Sequence, residues 1–453
     1  MTKTLTSGNP AKLILLFTLP LLVGNLFQQM YNMADTLIVG RTLGVNALAA
    51  VGCTGSISFL IIGFAQGLTA GLSIVTAQNF GAGNHTGVRR SFAASVLISL
   101  GVTVVLTAIG VIFARPFLQL LNTPAAIIDD AYSYIVVIYG GIFASVLFNL
   151  LSNIIRALGD SRTPLYFLVI ACLVNIGLDY FFILVLHSGV AGAAWATVIS
   201  QLLSGVLCLV YIKYRFPILH LTRDDWKLTG VEIAQHLRVG LPMAFQSSII
   251  SIGSIILQTA LNGLGATSVA AYTASQKIDT LATMPMMSFG MTMATYAAQN
   301  FGAGRIARIR KGIKQCCLMS VSFSIVMGIV NITCGRYLVG LFVGDEPQVI
   351  ELSKIFLTIN GCCYFILALL FIFRYTLQGL GQSFVPTFAG IMELCMRTLA
   401  SLVFAQYFGF AGACMANPLA WLGSCVPLCI AYAITMRKMR RSLPPDPPEE
   451  EAA

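Results

Sequence analysis

Long apolar segments alternate with short polar connections along the whole chain. A membrane span needs about 20 apolar residues, and on that rule the pattern predicts twelve transmembrane helices. They are expected at 13–38, 47–76, 91–114, 131–155, 163–186, 190–212, 238–261, 268–297, 315–343, 352–379, 384–408 and 411–435. The longest polar connection, 214–237, separates six spans from six. We therefore expect an N-terminal lobe (1–213), a linker (214–237), a C-terminal lobe (238–435) and a tail (436–453), the last disordered because it is rich in Pro and Glu.

Composition supports an all-α integral membrane protein. Hydrophobic residues make up 57% of the chain and charged residues only 10%, whereas soluble domains carry about 25% charged residues. The apolar segments are too long for β-barrel strands, which alternate over about 10 residues. The first apolar run lacks a cleavage site of small residues, so it is read as a span and not as a signal peptide. The twelve Cys lie mostly in apolar segments, which favours a packing role.

Basic residues indicate how the chain is oriented. With the N-terminus inside, 20 of the 27 Lys and Arg fall in inner segments and 4 in outer ones. This bias follows the positive-inside rule and predicts a multi-pass protein of the cell membrane with both termini cytoplasmic. It also accounts for the net charge of +10, so no nucleic-acid partner is expected.

The two halves of the chain repeat each other. Ala77-Gln-Asn-Phe-Gly-Ala-Gly83 recurs as Ala298-Gln-Asn-Phe-Gly-Ala-Gly304, and Leu19-Pro20 recurs as Leu241-Pro242. The offset is 221 to 222 residues. Because six spans is an even number, both halves enter the membrane from the same side. Such parallel repeats are typical of alternating-access transporters, whose substrate site lies between the halves.

A polar stripe interrupts the first span. Asn25, Gln28, Asn32 and Asp35 are spaced three, four and three apart, so they fall on one helical face. Ionisable groups within a bilayer are costly and usually functional.

A second acid, Asp179, follows Asn175 by one helical turn in the fifth span, and Thr197 lies in the sixth. Counting along the helices places Asp35, Asp179 and Thr197 in the outer half of the membrane. These oxygens can form a cage for a hard cation such as Na⁺, or the two carboxylates can hold a proton, since burial and like charge both favour the protonated form. The structural alternative is that they are separate polar residues bonding between helices.

The second half keeps the stripe but not the acids. Ser247, Ser251, Ser254 and Gln258 share one face of the seventh span. At the repeat offset, however, Asp35 corresponds to Leu257 and Asp179 to Ser401. We therefore predict an ion site in the N-terminal lobe only, and a substrate cavity lined mainly by amide and hydroxyl groups. The residues assigned to that cavity are Gln28, Asn32, Ser251, Ser254, Asp279 and Met287.

Other charges in the C-terminal half have structural as well as functional interpretations. Glu393 and Arg397 are four residues apart and are expected to pair along their helix. Arg374 is a candidate partner for Asp279, which is either in a structural ion pair or lines the cavity. Met287 belongs to a Met-rich stretch that either packs or adapts to apolar ligands. Pro20 leaves a carbonyl without its helical bond, as either a hinge or a tolerated kink.

Nothing in the sequence indicates an enzyme. There is no GxxxxGK[ST] motif, so ATP is not expected to drive transport directly. There is also no HExxH motif or nucleophile elbow, and the four His are scattered in or near loops.

With these residues in hand, the chain resembles the MATE family, the multidrug and toxic compound extrusion transporters. The resemblance covers nearly the whole chain. It rests on the twelve spans, the six-plus-six repeat, Met33-Ala-Asp35 followed by Gly40 and Leu43-Gly44, and the duplicated Gln-Asn-Phe-Gly-Ala-Gly. The resemblance implies two six-helix lobes forming a V around a cavity. It also implies export of organic, often cationic, compounds in exchange for Na⁺ or H⁺, with no other cofactor.

The resemblance also implies roles for single residues. Asp35 matches the family's first-helix carboxylate, and Pro20 matches a proline linked to bending of that helix. Asn175, Asp179 and Thr197 match the rest of the N-lobe cation site, for H⁺ or Na⁺.

One departure concerns the acids that part of the family carries in its seventh and tenth helices, which are absent here. The chain therefore looks like the DinF/MepA-type branch, without a C-lobe Na⁺ site. We expect a monomeric antiporter whose partners are small organic substrates and the lipid bilayer. A lipid-linked glycan flippase of the same superfamily, or a channel, are the alternatives.

Overall fold

The computed structural model describes residues 4–121, 123–344 and 346–442, which are almost wholly helical and contain no strand. Its α-helices are α1 Pro10–Leu43, α2 Val45–Gly81, α3 His85–Leu120, α4 Ile128–Gly140, α5 Ile142–Ala157, α6 Arg162–Tyr180, α7 Gly189–Arg215, α8 Gly230–Gly263, α9 Ala266–Gly302, α10 Ile306–Val343, α11 Pro347–Gly361, α12 Tyr364–Gly379, α13 Phe384–Leu399, α14 Ala405–Cys414 and α15 Ala416–Ser442.

Every predicted span corresponds to helix in the structure. Within the described ranges, nine helices are long and apolar enough to cross a membrane, and two bent pairs bring the number to eleven. The twelfth is α9, which is equally long but carries Lys277 and Asp279. The helices extend beyond the predicted limits because their ends continue into polar residues. At the C-terminal end α15 continues to Ser442, past the predicted end at 435. The predicted disordered tail otherwise falls on 443–453, outside the described residues.

The backbone repeats as the sequence does. The bent pairs α4–α5 and α11–α12 have breaks of 45° and 49° at corresponding places in the two halves. Short π-helical segments, Phe181–Val185 and Ala400–Phe404, continue α6 and α13. Gly189 and Gly409 have φ angles of 59° and 56°. Glycine tolerates this region because it lacks a Cβ, so both copies of Gly-x-Ala-Gly-Ala end one helix and begin the next.

Contacts within the structure define two compact units whose limits differ from the repeat. The first unit contains Val23–Ser248, and the second contains Leu5–Leu22 and the chain from Ile249 onward. The beginning of α1 therefore belongs to the second unit, and the beginning of α8 to the first. Pro20 lies inside α1 close to this division. The predicted lobe boundaries describe the repeat in the sequence and remain a prediction.

The first unit packs α2, α3, α4, α5 and α7 around an apolar core. That core includes Ala50, Ile61, Ala114, Ile135, Tyr139 and Val198. The linker before α8 is fixed to α3 of this unit by an ion pair and a hydrogen bond. Arg89 Nε lies 3.2 Å from the Asp225 carboxylate, and Arg90 Nη2 donates to the carbonyl of Lys227 at 2.8 Å. Burial alone raises the pKa of Asp225, but hydrogen bonds from Thr222 and the charge of Arg89 bring it below its ordinary value.

The second unit packs the beginning of α1 against α9, α10 and α12. Its core here includes Ile14, Phe17, Phe289, Tyr296 and Ile309. The segment before α1 is held by the second copy of the duplicated motif. Gln299 Oε1 accepts from the Leu5 N–H at 2.8 Å, and Asn300 Nδ2 donates to the Leu5 carbonyl at 3.2 Å. Arg308 Nη2 donates to the Gly8 carbonyl at 2.6 Å. The duplicated motif therefore has a structural task in this unit, which is to anchor a passing backbone.

Candidate ion-coupling site

The four residues predicted to form a cation site come together in the first unit. Asp35 lies on α1, Asn175 and Asp179 on α6, and Thr197 on α7. Asn175 and Asp179 are fully buried, and Asp35 is 8% exposed. The carboxyl groups of Asp35 and Asp179 are within hydrogen-bonding distance of each other. The structure thus confirms that these side chains are neighbours, while their role in coupling remains a prediction.

Asn175 links the acid pair to α7. With its amide oriented to satisfy its neighbours, Nδ2 donates to Asp179 Oδ2 at 3.2 Å, and Oδ1 accepts from the backbone N–H of Thr197 at 3.3 Å. The sequence predicts that Thr197 contributes its hydroxyl, but its bond to Asn175 uses the main chain.

Helix α6, which carries Asn175 and Asp179, departs from regular geometry next to Asp179. The α-helical part of α6 ends at Tyr180 and a π-helical turn, Phe181–Val185, follows directly. Such turns are rare and occur frequently at functional sites.

Two tyrosines complete the surroundings of the acids, and sequence reasoning missed both. Tyr31 is buried and lies near Asp35, Asp179 and the hydroxyls of Thr197 and Ser200. Tyr134, from α4, also lies near both acids. Tyr31 precedes Asp35 by one helical turn, so the i, i+4 spacing was a usable signal. Tyr134 had no such signal, because its approach depends on the packing of α4.

The site presents acceptors that have no donor. The Oδ1 atoms of Asp35 and Asp179 are both buried without a hydrogen-bond partner. A carboxylate only accepts hydrogen bonds, whereas a protonated carboxyl also donates one. The arrangement therefore suits a species that brings positive charge, either a proton or a hard cation with oxygen ligands. Within the described residues, no group of three or more His, Cys, Asp or Glu side chains is arranged to hold a metal ion.

The residues assigned to a substrate cavity differ in their exposure. On α1, Gln28 is half-buried and Asn32 is exposed, whereas Tyr31 and Asp35 are buried. In the second unit Ser251 is buried, Ser254 is exposed and Met287 is half-buried. The stripe on α1 therefore spans an exposed and a buried flank of the helix. The assignment of these residues to a cavity stays a prediction.

Asp279 has a different partner from the one predicted. Its Oδ1 accepts from Tyr364 Oη at 2.6 Å, and Tyr364 in turn accepts from Asn331 Nδ2 at 2.8 Å. The predicted partner Arg374 instead pairs with Glu393 at 2.6 Å. The prediction was wrong because packing between α12 and α13 brings Arg374 to Glu393. The predicted pair of Glu393 with Arg397 is confirmed, at 3.3 Å.

Taken together, a helical membrane protein made of two repeats, with a buried acid pair in one of them, belongs to the class of secondary transporters. A profile of the MatE family matches residues 20–181 and 242–405, one stretch in each repeat. The chain belongs to the MatE family, whose members are transporters.

Individual proteins agree with this assignment. The chain is 29% identical over 354 residues to the probable multidrug resistance protein YpnP of Bacillus subtilis, covering 78% of each. It is 21% identical over 406 residues to the multidrug export protein MepA of Staphylococcus aureus, covering 88% of each. A crystal structure of a MATE transporter superposes with a TM-score of 0.89 at 22% identity, covering 97% of this chain and 99% of that one. The fold is therefore the twelve-helix, two-lobe MATE fold, and the resemblance to the MepA-type branch is confirmed.

Proposed function

We propose that the chain is a secondary active antiporter that exports organic compounds in exchange for H⁺, and that the proton binds between Asp35 and Asp179. The relatives named as multidrug resistance and export proteins support the transport part of this proposal. The observation that carries the choice of site is the contact between two buried carboxyl groups in the first unit.

The contact favours a proton over Na⁺ as the coupling ion. Two carboxyl groups can share a hydrogen bond only if one of them is protonated, because an ionised carboxylate has no donor. When the proton leaves, two like charges face each other in a medium of low dielectric and repel strongly. Na⁺ would instead bridge the free oxygens of the same pair. Separate H⁺ and Na⁺ gradients therefore distinguish the two coupling ions.

Loss or gain of the proton reaches the rest of the molecule through α1. Asp35 is fixed to this helix within the first unit, whereas the start of the helix packs in the second unit. A change in the Asp35–Asp179 bond therefore acts on a helix that has contacts in both units. Pro20, which lacks a backbone N–H, is the predicted hinge at which α1 bends.

The test is dye exchange by the purified chain in proteoliposomes, with H⁺ and Na⁺ gradients imposed separately. Export driven by the H⁺ gradient is expected in the wild type and absent from Asp35→Asn and Asp179→Asn. The control is Asp129→Asn, since Asp129 is exposed and pairs with Arg115 near the protein surface. Full exchange in both site variants would overturn the proposed site. Exchange driven by Na⁺ alone would replace the proton with Na⁺, and flux without counterflow would indicate a channel.

The membrane and orientation belong to the same proposal. The concentration of Lys and Arg in alternate connections supports a cell-membrane protein with both termini on the cytoplasmic side. We further propose that a single chain is the transporting species. Labelling of single cysteines placed in the 214–237 linker from either side of intact cells would test the orientation.

A further inference from the structure

The second repeat contains the counterpart of the ion-coupling site, and its chemistry is inverted. At the offset of 222 residues, four positions of the first site correspond to four residues of the second unit. The pairs are Tyr31 with Gly253, Asp35 with Leu257, Asn175 with Arg397, and Asp179 with Ser401. The π-helical turns after Asp179 and around Ser401 show that the local backbone is retained as well. The two acids of one repeat thus correspond to a leucine and a serine in the other, and an arginine takes the place of Asn175, one helical turn before that serine.

Arg397 is buried but poorly bonded. It is 7% exposed, its Nη2 is 3.3 Å from Glu393 Oε1, and its Nη1 is 3.5 Å from Ser254 Oγ. Its Nε–H has no partner. Gly253 of α8 lies directly beside it, since a Cβ there would be 3.4 Å from both Cδ and Nη1 of Arg397. The guanidinium therefore retains hydrogen-bonding capacity beside α8.

The surroundings of Arg397 carry surplus positive charge. Glu393 also accepts from Arg374 Nη2 at 2.6 Å, and Arg374 donates to Ser424 Oγ at 3.0 Å. One carboxylate is thus shared by two guanidinium groups, which leaves a net charge of +1 in this buried cluster. Asp279 does not neutralise it through a direct ion pair, because its carboxylate accepts a hydrogen bond from Tyr364. Buried charge without a counter-charge is costly.

A second unsatisfied donor lies one helical turn away. Ser401 follows Arg397 by four residues, is 3% exposed, and its hydroxyl has no partner. Buried side-chain donors usually have a hydrogen-bond partner in the protein or in ordered water. Here an N–H and an O–H remain free on the same side of one helix. The first unit offers a free acceptor at Asp179, and the second offers a free donor at the corresponding Ser401.

We propose that Arg397 and Ser401 bind an anionic oxygen group, a carboxylate or a phosphate, carried by the exported compound. Arginine binds such groups with charge-assisted hydrogen bonds, and a serine hydroxyl adds a further donor. The substrates are then organic compounds that carry an acidic group, including zwitterions, and not simple cations alone. This inference rests on the proposed export function for its meaning, but the binding site itself does not depend on transport.

The test is dye binding to the purified full-length chain in detergent, followed by fluorescence polarisation. The probes are two rhodamine dyes that differ only in a free carboxylate or its methyl ester. The wild type should bind the carboxylate dye more tightly. Arg397→Gln should weaken binding of that dye by about tenfold or more, the size expected for a charge-assisted hydrogen bond, and leave the ester nearly unchanged. Ser401→Ala should act in the same direction with a smaller effect.

Two variants guard against effects on folding. Arg397→Lys keeps the charge and should retain part of the preference, so the test stands if Arg397→Gln does not fold. Thr398→Val is the matched control on the same helix, because the Thr398 hydroxyl already donates to Leu394 O at 2.8 Å. It should leave both affinities unchanged. If Ser401→Ala and the Arg397 variants weaken both dyes equally, the arginine is structural and the proposal is overturned.

Further measurements distinguish this proposal from binding of a lipid headgroup and from the antiport proposal. Phosphatidylglycerol added to the detergent should not displace the carboxylate dye, and displacement that requires Arg397 would assign the site to a lipid headgroup and overturn the proposal. Asp35→Asn should keep the preference for the carboxylate dye. If proteoliposomes show no exchange while Arg397-dependent selectivity persists, the proposed antiport fails and the anion site stands.

Discussion

The two repeats share a backbone and differ in the sign of their buried chemistry. In the first unit, Asp35 and Asp179 face each other, and each has an oxygen without a donor. In the second unit, Glu393 is held between two guanidinium groups, and N–H and O–H donors remain without acceptors. The comparison shows that a duplicated helical scaffold can keep its bends and π-turns while its polar positions diverge. It also explains why only one repeat is expected to bind a proton.

The largest effect should come from removing an acid of the first unit. Asp35→Asn or Asp179→Asn should abolish H⁺-driven exchange, because an amide cannot release the proton that links the pair. Asp279→Asn in the second unit should leave coupling intact, since Asp279 is already bonded to Tyr364. Exchange in proteoliposomes measures all three. Equal loss in all three variants would contradict the assignment of coupling to the first unit alone.

Thermal stability should fall more when an acid is removed from the second unit than when one is removed from the first. Glu393→Gln leaves two buried guanidinium groups without their counter-charge, and breaking a buried pair in this way costs about 3–5 kcal/mol. Asp179→Asn should cost little, because it removes one of two like groups in contact. Thermal unfolding of the detergent-solubilised variants checks the order. A Glu393→Gln protein as stable as the wild type would show that the cluster is solvated.

Two tyrosines extend the comparison at a smaller scale. Tyr364 Oη makes hydrogen bonds of 2.6 and 2.8 Å to Asp279 and Asn331, so Tyr364→Phe should cost about 1–3 kcal/mol of stability by leaving buried groups unpaired. Tyr31 Oη has no such bond, and Tyr31→Phe should leave the unfolding temperature nearly unchanged. The reverse order in thermal unfolding would mean that Tyr31 is bonded and Tyr364 is not.

The smallest effect concerns the segments that precede α8 and α1. The pKa of Asp225 is lowered in the folded chain, so its contribution to stability is present above its unfolded value of about 3.9 and is lost as the pH falls through the folded value. Asp225→Asn should therefore lower the unfolding temperature at pH 7 by a few degrees and much less near pH 3.

The matched segment in the second unit provides the control. Arg308 donates to a backbone carbonyl at Gly8, which does not titrate in this range. The penalty of Arg308→Gln should consequently be the same at both pH values. A penalty for Asp225→Asn that persists unchanged at pH 3 would contradict the role of the Arg89–Asp225 pair.

Much of this architecture could be predicted from the sequence. Hydrophobic length located the spans, the repeated motif located the two halves, and helical spacing brought Asn175 and Asp179 to one face. The contacts that were missed lie between helices. Arg374 was assigned to Asp279 because no sequence period reports how α12 packs on α13, and Tyr134 was missed for the same reason. The breaks at Gly141 and Cys362 also escaped prediction, since small residues occur throughout these spans without bending them.

The division into compact units could not be predicted either. The repeat places α1 wholly in the first half, yet its beginning packs around Phe289 and Tyr296. Hydrophobic residues such as Ile14 and Phe17 fit either unit by composition, and only the packing in the structure decides between them.

Proton counting on the purified protein tests the central claim most directly. Substrate dye is added to the chain in weakly buffered detergent solution, and the pH change is recorded. If the proton shared by Asp35 and Asp179 is exchanged for substrate, the wild type and Asp279→Asn should release protons on binding, and Asp35→Asn and Asp179→Asn should release none. Undiminished release from both first-unit variants would contradict the claim.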